Sequence, residues 1–269
     1  MGCCSASRRR VTTVDVGPAE ARVLLVPGGG ASVHGYFPEL ASCLGTHARV
    51  IEVDPPRKDI ARGRRWLRLA DHALWLAQAI RLDRDDPVIV VAHSLGGLAA
   101  LRLALDEPGV VAGLLLLDPS PLMPAALLPA GVLKLIAASR KVAADLGVVG
   151  RRLRRDLRGG SVSAPQKRSA AAPRSVPTIV RLIWYLVFDG VALSADLAAG
   201  RLAAIPTTVV SAGEHAPDSA TRRTHERLVT WIGGARLEVW EGTTHPLHLQ
   251  QPRRVAEAAI ALLAVDPLA

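Results

Sequence analysis

The chain has 269 residues, enough for one large domain with a buried core, and 49% of them are hydrophobic, which excludes a disordered protein. Its formal net charge of +9 is unevenly placed: residues 121–204 hold 13 Lys+Arg against 4 Asp+Glu, and the rest of the chain sums to zero. Three cysteines, Cys3, Cys4 and Cys43, cannot make a disulfide framework, and no Cys/His spacing suits a zinc site or a redox dithiol.

Residues 1–10, "MGCCSASRRR", carry charge without an apolar core, so they are expected to be a disordered leader rather than a secretory signal. The likeness to an acylation motif fails at Ala6, where Ser or Thr is required. "ARVLLVPGGG" (21–30) and "ARVIEVDPP" (48–56) are short apolar runs ending in turn residues. "PVIVVAHS" (87–94), "VVAGLLLLDPSP" (110–121), "IPTTVVSAGE" (205–214) and "ARLEVWEG" (235–242) have the same form. Runs this continuous suit strands buried on both faces, as in a parallel sheet. Helical patterns alternate with them. Apolar residues recur at Trp66, Leu69, Ala70, Ala73, Ala77 and Ile80; "LGGLAALRLAL" opens directly after Ser94; and Pro252 begins a segment whose Val255, Ala259, Leu262 and Leu263 share one face. The alternation predicts an α/β fold.

It breaks over residues 121–204, which read as a helical, basic insertion between core segments 11–120 and 205–269. The densest charge, "RRLRRDLRGG" (151–160), has no interleaved aromatic side chains to stack bases, which argues against nucleic acid. It is either a solvated face or a surface for an anionic partner. The richest apolar stretch, 110–135, is interrupted by Asp118, Lys134 and prolines, so no integral membrane span is expected, and a cytoplasmic location is the default expectation.

Ser94 ends a strand and precedes a helix, between the small residues Ala92 and Gly96. A nucleophile needs such a sharp turn, here written A-x-S-x-G, to be exposed beyond the strand end with helix N–H groups beside it. "VLLVPGGG", "VIVVAHSLGG" and "GTTHPLHLQQP", in this order and at these separations, make the chain resemble the α/β-hydrolase fold superfamily, as a serine hydrolase or esterase. The resemblance implies a mostly parallel central sheet with helices on both faces and a helical lid insertion at 121–204. It also implies Ser94 as nucleophile, His245 as base, and the backbone N–H groups of Gly29 and Leu95 as the oxyanion hole, with no cofactor and no metal. His248 is the competing histidine, better suited to packing. His93 is the variable residue of the elbow, and His34, His47, His72 and His225 are expected to be structural.

Two departures stand out. "DPPRKDIARG" replaces a loop that often reads Asp-x-Pro-Gly-x-Gly-x-Ser. The acid of a Gly-x-x-Asp loop should stand at 216, where the chain has alanine. Asp118, one strand from the nucleophile, is the favoured acid. Asp218 is the alternative, although "DSATRR" also looks like a helix N-cap, and Glu214 is expected to point away. The function this implies is cleavage of an ester or thioester, a small-molecule acyl substrate that the basic insertion would favour as an anion. The alternatives are a non-catalytic ligand- or partner-binding protein of the same fold and a cofactor-free haloperoxidase-like activity. Oligomeric state is not legible.

Overall fold

A computed structural model describes residues 12–14, 21–28, 33, 35–45, 47–53, 68–83, 86–122 and 189–264. Each of the six apolar runs becomes a strand: β2 (Arg22–Val26), β3 (Arg49–Glu52), β4 (Val88–His93), β5 (Val111–Leu117), β6 (Thr207–Ala212) and β7 (Ala235–Trp240). They pair in parallel in the order β3-β2-β4-β5-β6-β7. A short edge strand that the apolar pattern does not reveal, β1 (Thr12–Val14), adds antiparallel to β3, with Thr12 opposite Glu52.

Successive strand residues point to opposite faces, so each run feeds two cores. Leu24, Val90, Leu114, Leu116 and Val209 face one layer of helices. There they meet α2 (Leu69–Asp83), α3 (Leu95–Asp106), α4 (Gly190–Ala198) and α5 (Ala220–Trp231) through Leu76, Ile80, Leu101, Leu193 and Leu228. Val23, Leu25, Val91, Leu115 and Val210 face α1 (Leu40–Leu44) and α7 (Pro252–Leu263) on the other side, against Leu40, Leu44, Val255 and Ala259. Burying one such aliphatic side chain contributes about 1.5–3 kcal/mol, and so the sheet is fixed from both faces. A four-residue helix, α6 (Leu247–Gln250), leads into α7.

The chain runs outward from β2 to β3 and then crosses back, placing β4 on the other side of β2. The carboxyl ends of β2 and β4 therefore diverge in their connections, the place where open α/β sheets bind ligands. Pro27-Gly28 and Ser94 occupy those two ends. At the opposite end, buried Asp83 takes Arg22 at 3.0 Å and Arg49 at 2.6 Å, which locks the end of α2 to the starts of β2 and β3. Far along the chain, Asp189 accepts the Leu69 N–H at 2.8 Å and pairs with Arg68 at 2.9 Å. That carboxylate caps the first turn of α2 from a distant segment. Of residues 121–204, expected to form an insertion, only 121–122 and 189–204 are described; the rest, with its charged tract, and residues 1–10, expected to be a leader, lie outside the described residues. Among the described residues no helix is long and apolar enough to cross a membrane.

Candidate active site

Ser94 closes β4 and opens α3 with φ 55° and ψ −122°, a backbone conformation costly for a residue with a Cβ. Its backbone is pinned on both sides. Ser94 N–H donates to Leu117 O at 3.0 Å, while its carbonyl accepts from Gly97 and Ser120, each at 3.0 Å. The turn also needs close backbone approach. A Cβ at Gly96 would lie 2.6 Å from Val26 O and 2.7 Å from Pro27 O, and one at Gly28 would lie 2.8 Å from both Ser94 Cβ and the Tyr36 hydroxyl. Leu95 supplies the first N–H of α3, at the positive end of the helix. Gly29 lies outside the described residues.

His245, on the loop after β7, brings Nε2 to 2.9 Å from Ser94 Oγ. Its Nδ1 lies 2.6 Å from Asp118 Oδ2. Asp118 sits at the end of β5, is 1% exposed, and adopts φ 43°. A carboxylate only accepts, so Nδ1 of His245 carries the proton and Nε2 is left to accept from the serine hydroxyl. Asp118 Oδ1 also accepts from Ala212 N–H at 3.0 Å, and His215 Nε2 lies 3.0 Å from both carboxylate oxygens. Burial favours the neutral acid, but the hydrogen bonds from His215 and His245 more than offset it and hold the carboxyl well below the ordinary carboxylate range.

His245 is also held by residues other than Ser94 and Asp118. His93 is buried, and burial pushes its imidazole well below the ordinary histidine value, so it is neutral. Its Nε2 faces the His245 carbonyl at 2.7 Å and must donate. Its Nδ1 therefore accepts from the Tyr36 hydroxyl, also at 2.7 Å. The Gly28 backbone hydrogen-bonds that same hydroxyl. One chain of hydrogen bonds thus links the loop after β2, the residue before Ser94 and the loop that carries His245. Buried His248 stacks on Tyr36 with ring centroids 4.8 Å apart, and burial lowers its pKa to about 3.

A family model described as the alpha/beta hydrolase family matches residues 23–258, most of the chain. The chain belongs to the alpha/beta hydrolase family. Among curated proteins, the magnesium-chelatase 30 kDa subunit of Rhodobacter capsulatus is 39% identical over 115 residues, 39% of this chain and 39% of that protein. Lipase LipV of Mycobacterium tuberculosis is 49% identical over 45 residues, 17% of each chain. The chain thus aligns with about two-fifths or less of the length of these curated relatives. A solved hydrolase from Oleispira antarctica superposes with a TM-score of 0.65 at 16% identity, covering 94% of this chain and 95% of that one, a likeness of fold.

Within this hydrolase frame the geometry separates the three candidate carboxylates. Asp118 reaches His245 directly. Asp218 is exposed, on the turn before α5, and has no hydrogen bond to His245. The cap is not Asp218 either: Ser219 Oγ accepts the Arg222 N–H at 3.1 Å, and that serine is the N-cap of α5. Glu214 does not point away. Its Oε1 accepts the backbone N–H of His245 at 2.6 Å, because a hydrogen bond from Glu214 N–H to Thr243 O holds the two loops side by side.

Several site residues escaped the sequence reading. His215 stands one position before the alanine that replaces the expected acid, and that vacancy was the available signal. His93 and Tyr36 gave none, since their partners lie 152 and 57 residues away. His225 is structural. It is fully buried between Ser211 Oγ at 3.0 Å and Pro119 O at 2.9 Å, and tied through Ser211 to Arg222. Among the described residues no cluster of His, Cys, Asp or Glu could hold a metal ion.

Proposed function

We propose that the chain is a cofactor-independent serine hydrolase that cleaves an ester or thioester through Ser94, His245 and Asp118. The observation that carries this reading is the unbroken sequence of hydrogen bonds from Ser94 Oγ through both nitrogens of His245 to a buried, ionised carboxylate. Only the bond between Ser94 and His245 passes a proton; the bond to Asp118 fixes the tautomer of His245 and keeps its proton on Nδ1. Ser94 Oγ attacks the acyl carbon as its proton passes to His245 Nε2, and the imidazolium formed is stabilised by Asp118. The tetrahedral oxyanion is held by the N–H of Leu95 at the start of α3 and by that of Gly29. Collapse breaks the bond to the leaving oxygen or sulfur, which takes the proton from His245. Water then adds to the acyl-enzyme by the same relay, releasing the acid and restoring Ser94.

The reading of an ester as substrate draws on the likeness to lipase LipV over 45 residues. The excess positive charge of residues 121–204 supports an anionic acyl substrate. Native protein and Ser94→Ala are compared on acyl esters of graded chain length and on matched thioesters. The expected result is turnover of at least one series by the native protein and background rates for the variant. Equal rates for both proteins on every substrate overturn the proposal and favour a non-catalytic binding role.

A further inference from the structure

Asp118 faces two imidazoles. His245 approaches Oδ2 at 2.6 Å, and His215 sits astride both oxygens at 3.0 Å. A simple acid–base pair needs only the first. His215 comes from the loop after β6, and its carbonyl is held by Arg222 Nη2 at 3.1 Å, so its backbone is fixed by the fold. Because a carboxylate only accepts, His215 Nε2 carries a proton whatever the charge of the ring. The ring is half-buried and can gain a second proton without leaving its place.

We propose that His215 is a positioning residue for His245, acting through the Asp118 carboxylate that the two rings share, and that it makes the acyl-transfer rate depend on pH. The proposal rests on the serine hydrolase reading above. Neutral His215 donates one hydrogen bond to Asp118, fixes the plane of the carboxylate, and leaves its full charge to stabilise the His245 imidazolium. Protonated His215 forms an ion pair with the same carboxylate. The charge available to His245 then falls, and the imidazolium that forms as Ser94 attacks is stabilised less.

The surroundings set where this happens. The hydrogen bond and charge of Asp118 raise the His215 pKa above the ordinary histidine value, and Glu214 adds to that. Arg222, on α5, opposes it. His225, also on α5, meets the ring edge-on at 6.1 Å and is kept neutral by burial. As pH falls, His215 therefore gains its second proton at a higher pH than an ordinary histidine does, and that proton competes for the carboxylate that His245 needs.

The test follows fluorophosphonate labelling of Ser94 against pH for the native protein, His215→Gln and His215→Phe. The low-field proton resonance of the His245 Nδ1–H bond to Asp118 is recorded on the same samples. Gln keeps a neutral donor but cannot charge; Phe removes the donor. The native rate is expected to fall in two steps toward acid. His215→Gln is expected to fall in one step and to keep its plateau within about threefold, while His215→Phe loses about tenfold or more of the plateau. The low-field resonance moves as His215 titrates in the native protein and stays constant over that range in His215→Gln. Superimposable native and His215→Gln profiles overturn the proposal, as does a resonance that ignores the state of His215. If native Ser94 never labels, the serine hydrolase reading fails, and the resonance still decides whether His215 acts on the shared carboxylate.

Discussion

Asp118→Asn separates a carboxylate that orients the base from one that only fills space. Ala212 N–H donates to Oδ1 at 3.0 Å and cannot reverse its polarity, so the amide oxygen of Asn must take that position. The amide nitrogen then falls where Oδ2 was, 2.6 Å from His245 Nδ1. Two donors cannot face each other at that distance. His245 must move its proton to Nε2, which then points a donor at Ser94 Oγ, 2.9 Å away, and can no longer accept the serine proton. The same exchange of acid for amide lowers kcat about 10⁴-fold in protease triads, or about 5 kcal/mol of transition-state stabilisation. The stability cost is smaller, about 1–3 kcal/mol, because the volume is kept and the hydrogen bonds of Ala212 and His215 to Oδ1 survive. The assay is kcat on the best ester, with far-ultraviolet circular dichroism and a urea midpoint as the fold control. Activity within tenfold of native, or an equal loss in Asp218→Asn, would refute the reasoning.

Other perturbations test neighbouring parts of the site. Gly28→Ala puts a methyl group 2.8 Å from both Ser94 Cβ and the Tyr36 hydroxyl, so it should cost about 1–3 kcal/mol in urea unfolding and displace the nucleophile; unchanged stability and activity would contradict the packing. His248 is buried with its pKa lowered to about 3 by desolvation, so the unfolded chain binds a proton there below about pH 6.5 that the folded chain does not. Stability is therefore complete above the unfolded value and is lost as pH falls toward the folded one. His248→Phe, which keeps a ring against Tyr36, should flatten urea-measured stability between pH 6 and 4 by up to about 1.4 kcal/mol per pH unit. If the basic insertion steers anions, kcat/KM for an anionic ester should fall more steeply with salt than for a matched neutral one. Changing Arg151, Arg152, Arg154 and Arg155 together to Gln should remove the difference, while equal salt slopes in the unchanged protein would leave the charge merely solvated.

The sheet was legible because five of its strands bury nearly every residue, and that burial demands continuous apolar runs. β1 was not, since three residues on an edge need no such run. Local spacing points to Ser94 and His245, and a strand end one position over to Asp118, and the structure brings these three side chains into contact. No local spacing points to the contacts that hold them. Glu214 reaches the His245 backbone across 31 residues, and His93 reaches the carbonyl of the same residue across 152. Such bonds are set by how two loops lie together at the end of a sheet, and no periodicity records that. The N-cap is open in the sequence for a similar reason: Asp218 and Ser219 are both good caps, and only the backbone turn chooses Ser219.

The central claim is that Ser94 is an activated nucleophile served by His245. Peptide mass mapping after treatment with a fluorophosphonate tests it most directly. A single adduct is expected on the peptide that carries Ser94, absent in Ser94→Ala and formed about 10³-fold or more slowly in His245→Ala. A native protein that stays unmodified across the pH range, or an adduct that persists in Ser94→Ala, would contradict it.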